Sequence, residues 1–330
     1  MTILRTSTKN TLSFYWLTGR WEWGLVKEMQ AVETINLTKS YKGTAALKPL
    51  DLSIAPGEIF GLVGPDGTGK TTIIKLLAAL LRPSSGSAYI FGQDTIRNPE
   101  EARGHTGYMS QNFVLYPELT VAENLDFFAD LYQVKGQEKD DRIAELMNFS
   151  RLGPFRDRLS GRLSGGMKQK LALSCALIHT PKLLLLDEPT TGVDPISRRE
   201  LWKLLYEIWK KGVTIVLATP YMDEAERCSR VAFLNKGQVL LCDKPEIIKK
   251  QVGFRVYELD LDQLQNGYEL LVGAGIVRNA GLFGGHLHVH SEHPERDLAE
   301  ITELLKLNKI KVISQKQIEP SIEDVFLSFV

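Results

Sequence analysis

The stretch that determines the fold of this chain is IFGLVGPDGTGKTTIIKLLAALL, residues 59–81. Its opening run, Ile59–Val63, is apolar or small and predicts a short buried strand of a parallel sheet. A glycine-rich loop follows, and the run Thr72–Leu81 then predicts a helix. This order of strand, loop and helix indicates a mixed α/β core built around the loop.

The loop itself fits the pattern G-x-x-x-x-G-K-[ST]. Its glycines let several backbone N–H groups point toward one anion, and the helix N-terminus adds its positive end. Lys70 would reach the β- and γ-phosphates of a nucleoside triphosphate, and the Thr71 hydroxyl would bind Mg²⁺. A plain glycine turn is the structural alternative. The predicted phosphate-binding residues are Gly64, Pro65, Asp66, Gly67, Thr68, Gly69, Lys70, Thr71 and Thr72.

An acidic pair follows a second buried strand. The strand is the leucine run Leu183–Leu186, and Asp187 and Glu188 come directly after it. Asp187 would hold Mg²⁺, directly or through water, and Glu188 would act as general base for a water that attacks the γ-phosphate. Taken alone, Asp-Glu-Pro is explained equally well as an ordinary turn at the end of a strand.

Further strands predict that the α/β domain extends over residues 31–250. Val32–Leu37 alternates like a half-buried strand, Leu52–Ala55 resembles another, and Val213–Ala218 is a buried strand. Residues from about 99 to 170 contain no such run and are predicted to form helices. We therefore expect a helical subdomain over about 99–170, inserted in the α/β core.

A second, smaller α+β domain is predicted over residues 253–330. Its elements alternate in the order βαββαβ, which is that of a ferredoxin-like sandwich. A short helix should follow at the C-terminus. The predicted strands are 255–261, 276–280, 286–290 and 310–318, and the predicted helices are 262–271, 294–307 and 321–330.

The run LSGGMKQK, residues 163–170, narrows the phosphate loop and acidic pair to one protein family. It closely matches the LSGGQ signature of ABC-transporter ATPases. The chain resembles that family over residues 31–250, with the motifs in the family's order. The resemblance implies that Tyr41 stacks on adenine, that residues 64–72 are the Walker A loop, and that residues 183–188 are Walker B with catalytic Glu188. It also implies that Gln111 is a Mg²⁺ and water ligand and that Asp194 lies in the D-loop.

The signature has a physical reason, since a serine and two glycines at a helix N-terminus make a second anion site. In this family, Ser164, Gly165 and Gly166 would close over the ATP bound to the opposite subunit. The resemblance therefore implies ATP and Mg²⁺ as ligands and a second ATPase domain as partner, in a homodimer or heterodimer. Simple N-capping is the structural alternative for Ser164.

Several further motifs are similar to those of ABC-2-type exporter ATPases. They are GVDPISRR at 192–199, YMDEAE at 221–226 and EPSIEDVF at 319–326. Asp66, the tripeptide 153–155 and the run 167–170 look closest to one half of tandem multidrug-efflux ATPases. The resemblance implies an ABC-2-type membrane permease as partner, and a peripheral location on the cytoplasmic face of the inner membrane.

The chain departs from the family at the position of the switch histidine. The run Leu217–Tyr221 is LATPY, so Pro220 stands where the family usually has histidine. Proline offers neither a hydrogen-bond donor nor a titrating group, and losing one preorganised donor typically costs about 10²–10³ in rate. We expect reduced hydrolysis with ATP binding intact, although Thr219 or Tyr221 could partly substitute.

Composition excludes several classes of protein. The 330 residues carry 40 Lys+Arg and 40 Asp+Glu, and a chain without basic excess is a poor candidate for nucleic-acid binding. The three cysteines show neither disulfide nor zinc spacing. No apolar run approaches the roughly 20 residues that span a bilayer. Residues 1–30 differ in composition from the rest of the chain, and we interpret them as a disordered tail or as a misassigned start before Met29. An interfacial membrane anchor is the alternative.

Two weaker signals leave alternatives open. His286, His288 and His290 fall on one face of a predicted strand, where three imidazoles could hold a metal. Because Leu287 and Val289 fill the opposite face, a solvent-exposed histidine face is favoured over a metal site. The side chains of Phe113, Leu115 and Tyr116 follow Gln111 in sequence and would line a groove. In this family that region receives the coupling helix of the membrane subunit, and core packing of the helical subdomain is an equal explanation.

The leading hypothesis for function is the ATP-binding subunit of an exporter that drives a separate permease by ATP-dependent dimer closure. Two alternatives remain. One is a nucleotide-binding module whose degenerate site clamps ATP in a heterodimer, which Pro220 favours. The other is a soluble ABC protein without a transport role, for which we see neither paired ATPase domains nor a basic surface pattern.

Overall fold

A computed structural model of the chain describes residues 10–17, 20–27, 29–112, 115–275 and 279–329. The chain divides into two units, residues 1–220 with 236–238 and residues 221–235 with 239–330. Within the described residues, no helix is both long and apolar enough to cross a bilayer.

The first elements that the structure describes are strands β1 (Asn10–Leu17) and β2 (Arg20–Lys27), which pair antiparallel with Asn10 opposite Lys27. Residues 1–9, 18, 19 and 28 lie outside the described residues, and the expectation of a disordered tail over residues 1–30 stays a prediction. That Met29 is the true start stays a prediction.

The remaining elements of the first unit alternate between strands and helices. Two short 3₁₀ helices, Gly153–Phe155 and Ser160–Arg162, follow α4. In chain order the elements are β3 (Val32–Tyr41), β4 (Thr44–Ile54), β5 (Ile59–Val63), α1 (Lys70–Leu77), β6 (Ser85–Ile90), β7 (Gln93–Asp94), α2 (Pro99–Gly104), β8 (Thr106–Met109), α3 (Val121–Leu131), α4 (Gly136–Ser150), α5 (Gly165–Ala176), β9 (Leu183–Asp187), α6 (Pro195–Lys210) and β10 (Thr214–Thr219).

The core of this unit is a parallel sheet in which the strands lie in the order β5-β10-β9-β8. Every residue of β5, β9 and β10 is buried, as the continuous apolar runs predicted. Helix α1 packs on β9 and β10, and α5 packs on β8. The carboxyl ends of the parallel strands therefore meet at one edge, next to the loop that precedes α1. A separate antiparallel sheet has the order β4-β3-β6-β7.

The expectation that residues 99–170 lack a core strand is wrong at β8, which extends the parallel sheet beyond β9. β8 has four residues of mixed polarity, TGYM, so no apolar run marks it. Its backbone lies close to α5, because a Cβ on Gly107 would stand 2.4 Å from the carbonyl oxygen of Ala176. The other elements that the structure describes in this region are helical, as predicted.

The second unit contains the predicted ferredoxin-like order βαββαβ. Its four-stranded sheet has the order β14-β15-β13-β16, with antiparallel neighbours, and the prediction is confirmed. In chain order the unit has α7 (Met222–Ala225), β11 (Arg230–Asn235), β12 (Gln238–Asp243), α8 (Pro245–Lys250), β13 (Arg255–Leu261), α9 (Leu264–Ala274), β14 (Asn279–Phe283), β15 (His286–Ser291), α10 (Pro294–Leu307), β16 (Val312–Ile318) and α11 (Ile322–Leu327).

Strand β15 separates two environments in this unit. Leu287 and Val289 belong to an apolar cluster that packs with residues of α9 and α10. The prediction of a solvent face for the opposite side is wrong, since His288 and His290 are buried and both contact the Asp324 carboxylate of α11. No group of three such side chains that could hold a metal occurs among the residues that the structure describes.

Candidate nucleotide site

The phosphate loop holds its lysine folded back over its own backbone. Lys70 Nζ donates hydrogen bonds to the carbonyl oxygens of Gly64 at 2.7 Å and Pro65 at 2.9 Å. Gly67 and Gly69 have φ angles of 76° and 102°, which L side chains rarely adopt. The loop thus encloses a cationic centre at the start of α1, in front of backbone N–H groups that have no partner inside the helix.

A loop distant in sequence supports the phosphate loop. The carbonyl oxygen of Gly237 accepts from Lys48 N–H at 2.8 Å, and Gly237 N–H donates to Thr68 O at 3.2 Å. Space is tight here, because a Cβ on Gly69 or Gly237 would lie 2.8 or 2.7 Å from Ala46 O. Sequence reasoning missed Gly237. Its only signal is the Lys-Gly turn between the runs that became β11 and β12.

A hydroxyl and a carboxylate meet at the predicted metal position. Thr71 Oγ1 donates to Asp187 Oδ1 at 2.9 Å, and Asp187 is 1% exposed. Burial raises the pKa of Asp187 above its usual value, with a further rise from the Glu188 charge and an opposing effect of the Thr71 hydrogen bond. Because Mg²⁺ prefers hard oxygen ligands, this pair fits a Mg²⁺ ion, whose charge would favour the ionised carboxylate.

Glu188 is held between the lysine and the glutamine that the sequence assigned to catalysis. Its Oε1 lies 3.6 Å from Lys70 Nζ, and its Oε2 accepts from Gln111 Nε2 at 2.9 Å and from Thr191 Oγ1 at 3.2 Å. The residue is 7% exposed and has a φ of 51°, an uncommon conformation outside glycine. Such strain persists only where surrounding contacts fix it, and it is frequent at functional sites.

Tyr108 is a second residue that sequence reasoning passed over. It pairs with Leu185 across β8 and β9, two positions before Asp187 on the neighbouring strand. Burial, together with the negative charge of Asp187, raises the pKa of Tyr108 to about 12. The phenol is therefore neutral and borders the acidic end of the sheet.

The signature residues lie at the N-terminus of α5. Ser164 caps this helix, with its Oγ accepting from Met167 N–H at 3.4 Å. Gly166 packs directly on α6, since a Cβ there would lie 2.3 Å from Ser197 Oγ. Asp194 caps α6 by accepting from the N–H groups of Ile196 and Ser197, each at 3.0 Å. The structure therefore gives Ser164 the capping role that was its structural alternative, and it gives Asp194 a capping role as well.

Four other predicted residues lie in the phosphate loop or in neighbouring elements. Asp66 is 89% exposed, with Oδ1 3.8 Å from Lys70 Nζ. Thr68 Oγ1 donates to Pro65 O at 2.8 Å and stabilises the turn. Tyr41 is half exposed at the end of β3, where Lys39 Nζ lies 5.2 Å from its ring centroid. Thr72 is part of the first turn of α1.

The predicted residues thus form two separate groups in one chain. Lys70 and Gln111 both contact Glu188, while Thr71 contacts Asp187, the residue that precedes Glu188 in the chain. The signature residues and Asp194 form the second group, and no hydrogen bond or ion pair between described residues joins the two. Pro220 follows β10, whose last residue accepts from the N–H of Gly64 at 3.4 Å.

The groove expected after Gln111 is only partly described, because Phe113 lies outside the described residues. Tyr116 packs on α3, with its ring centroid 4.6 Å from that of Phe127 and its backbone bonded to Asn124. A separate groove of about 660 Å³ lies between α2, β8, α3 and α5, and its lining includes Leu131 and Tyr132.

Two family models match this chain. The model described as "ABC transporter" matches residues 47–191. The model described as "ATP-binding protein DrrA1-3-like, C-terminal domain" matches residues 244–330. The two matches cover the nucleotide site and the ferredoxin-like part respectively.

Curated relatives extend the similarity. The "Probable multidrug ABC transporter ATP-binding protein YbhF" of Escherichia coli is 49% identical over 230 residues, 69% of this chain and 40% of that protein. The chain thus spans less than half of that relative. The "Daunorubicin/doxorubicin resistance ATP-binding protein DrrA" of Streptomyces peucetius is 34% identical over 91% of this chain and 92% of its own length. The "Nod factor export ATP-binding protein I" of Sinorhizobium fredii is 34% identical over 90% and 85%.

Solved structures support the fold. CbiO1 of Clostridium perfringens, described as part of an ABC transporter complex, has a TM-score of 0.62 at 29% identity, covering 68% of this chain and 92% of that one. The cassette MJ0796, solved as a dimer in a post-hydrolysis state with ADP and phosphate, has a TM-score of 0.59 at 30% identity, covering 64% and 98%. The predicted fold class and the family resemblance are both confirmed.

Proposed function

The chain belongs to the ATP-binding proteins of ABC transporters, and we propose that it binds and hydrolyses Mg-ATP in a head-to-tail dimer that drives a separate export permease. The observation that carries this proposal is the cluster in which Lys70, Thr71, Asp187 and Glu188 converge at the carboxyl edge of the parallel sheet. A cation, a metal-binding oxygen pair and a buried base within one site are the components that phosphoryl transfer to water requires.

Lys70 and the loop would bind the triphosphate. Phosphate oxygens would replace the Gly64 and Pro65 carbonyls as acceptors for Lys70 Nζ, while the loop N–H groups provide the remaining donors. Thr71, Asp187 and Gln111 would hold Mg²⁺, which when bound supplies the charge that neutralises the phosphates. Tyr41 is proposed to stack on adenine.

Glu188 would then serve as the general base. Once Lys70 engages phosphate, the carboxylate loses its ion-pair partner and can accept a proton from water. Gln111 and Thr191 hold its Oε2 in place, which limits the reorganisation needed for proton transfer.

A second ATPase domain is needed because this chain keeps its signature apart from its own phosphate loop. We propose that Ser164, Gly165 and Gly166 complete the site of a partner chain, with α5 presenting its N-terminus to the γ-phosphate. Pro220 favours a second version of this function, in which the chain's own site clamps ATP while its signature serves a competent site on a different partner.

The groove between α2, β8, α3 and α5 is the proposed docking surface for the permease. Leu80 and Leu131 are 56% and 61% exposed there, beside the aromatic rings of Phe128 and Tyr132. An apolar groove of this kind suits an amphipathic helix of a partner. The chain would then act at the cytoplasmic face of the inner membrane as a peripheral subunit of an efflux system, in line with the export roles that its relatives' names give.

The first test is nucleotide binding by Lys70→Ala. Losing the charge-assisted bonds of Lys70 should weaken MgATP binding at least about tenfold in a titration with a fluorescent ATP analogue. Lys210→Ala, an exposed cation at the end of α6, is the matched control and should bind like the parent. Unchanged affinity in Lys70→Ala would refute the assignment of the phosphate loop.

A further inference from the structure

A second cleft of about 400 Å³ opens in the first unit at the edge of the parallel sheet that faces away from the nucleotide site. Pro56 precedes β5, Lys182 precedes β9 and Val213 precedes β10, so the cleft lies at the amino ends of these strands. The residues that hold nucleotide follow their carboxyl ends, roughly 15–20 Å away along the strands. We call this feature the rear cleft.

The walls of the rear cleft are apolar and partly aromatic. The apolar lining includes Leu146 and Phe149 of α4, Ile208 of α6, and also Phe91 and Leu177. A concave, mostly apolar space of this volume with a few polar groups is the usual form of a small-molecule site.

The polar groups around these walls are mainly cationic. Lys182 Nζ lies 5.9 Å from the ring centroid of Phe91, and Lys211 Nζ lies 5.8 Å from that of Phe149. Arg142 adds a third cation, against the single carboxylate of Glu145. The cleft therefore has an excess positive charge that its own residues do not neutralise.

Arg142 also keeps an unused donor. One terminal nitrogen pairs with Glu145, and the other donates to the Leu177 carbonyl oxygen at 2.8 Å. Its Nε is buried and has no hydrogen-bond partner among the described residues. Arg142 is therefore a partly satisfied guanidinium among the residues that line the rear cleft. The Glu145 carboxylate binds both Arg142 and, at 3.0 Å, Lys211.

We propose that the rear cleft is a binding site for a small aromatic anion, a planar apolar body that carries one carboxylate or sulfonate group. The rings of Phe91 and Phe149 would contact the body of the ligand. The acidic group would lie among Arg142, Lys182 and Lys211, where charge-assisted hydrogen bonds are strongest. This site goes beyond the proposed ATPase function, because no nucleotide-binding residue lines it.

The test uses 8-anilinonaphthalene-1-sulfonate as probe, titrated against the full chain by fluorescence. We expect saturable binding that excess MgATP does not displace. The double variant Lys182→Glu with Lys211→Glu should weaken the probe's affinity at least about tenfold, since two favourable charge contacts become repulsive. The uncharged analogue N-phenyl-1-naphthylamine should bind both proteins equally, because it lacks the sulfonate.

The matched control is Lys203→Glu with Lys210→Glu, which makes the same change in net charge on exposed positions of α6 outside the cleft. It should bind the probe like the parent. A second variant, Phe149→Ala, removes an aromatic wall without changing charge and should also weaken binding. All variants must retain parental MgATP affinity, which reports on folding.

Three results would overturn the proposal: no saturable binding of the sulfonate up to about 1 mM, equal weakening in the cleft and control charge variants, or displacement of the probe by MgATP.

Discussion

Replacing Asp324 by asparagine should loosen helix α11 from the C-terminal sheet. Asp324 is fully buried, and its Oδ1 lies 3.1 Å from both His288 Nδ1 and His290 Nε2. Its Oδ2 accepts from the Ser321 N–H at 2.8 Å and from the Ser321 hydroxyl at 2.6 Å. One carboxylate thus caps α11 and joins the helix to two imidazoles of β15.

The size of the effect follows from the pKa of Asp324. Burial raises this pKa, but hydrogen bonds from His290, Ser321 and His288 outweigh burial and lower it to about 2. An unperturbed aspartate has a pKa of about 3.9, and each unit of difference corresponds to about 1.4 kcal/mol. The ionised carboxylate therefore stabilises this contact by about 2–3 kcal/mol near neutral pH.

The sign of the pH dependence is fixed because the folded pKa is depressed. The stabilisation is fully present above the unfolded pKa of about 4 and is lost as the pH falls through the folded pKa of about 2. At pH 3, about half of it should remain. The difference between the parent and Asp324→Asn should shrink accordingly on acidification.

Amide hydrogen exchange of the segment 321–329 is the suitable assay, because it measures local opening. At neutral pH, α11 of Asp324→Asn should exchange roughly 30-fold faster or more. Glu323→Gln removes the same charge from an exposed neighbour on the same helix and should leave the protection of α11 nearly unchanged. Equal protection in parent and Asp324→Asn, or a difference that stays constant down to pH 3, would refute the reasoning.

Three further predictions concern the first unit. Glu188→Gln should bind ATP at least as tightly as the parent, accumulate as an ATP-loaded dimer on size exclusion and lose about 10²-fold or more in turnover; hydrolysis at the parental rate would exclude Glu188 as the base. Pro220→His should raise turnover at least about tenfold at saturating ATP, and equal or lower turnover would show that the proline is neutral or compensated. Burial lowers the pKa of His179 to about 4, so stability should fall as the pH drops from about 6.5 toward 4. In urea titrations at a series of pH values, His179→Gln should reduce the dependence of the unfolding free energy on pH. An unchanged pH dependence would show that His179 is not the group responsible.

Local signals in the sequence predicted most of the fold. Arg255–Leu261 and Pro294–Leu307 form their elements with the predicted bounds, because each carries its own periodicity. The phosphate loop and the leucine strand before Asp187 were equally clear, since motif and strand adjoin in sequence. β8 was missed for the opposite reason. Its four residues of mixed polarity show no hydrophobic periodicity, and they form a strand because they pair with the neighbouring strand β9.

The contacts that complete each site were less accessible from sequence. Alternation placed His288 and His290 on one face of β15, but nothing local indicated that α11 covers that face. Gly237 supports the phosphate loop from far along the chain. Both are long-range pairings, which a pattern in one segment does not encode. The strain at Glu188 was also invisible, because a positive φ in a non-glycine residue arises from its surroundings.

The ion pair between Lys70 and Glu188 has a consequence for how firmly the chain holds its nucleotide. A phosphate that binds to the loop competes with a carboxylate and two carbonyls for the Lys70 ammonium. The measured free energy of binding is therefore the difference between two states in which the ammonium is hydrogen-bonded. A change that moves the Glu188 carboxylate away from Lys70 should tighten nucleotide binding. A change that restores this ion pair should favour nucleotide release. If Glu188 is also the general base, as we propose, then a change at this position should alter both the cleavage of ATP and the ease with which the remaining nucleotide leaves.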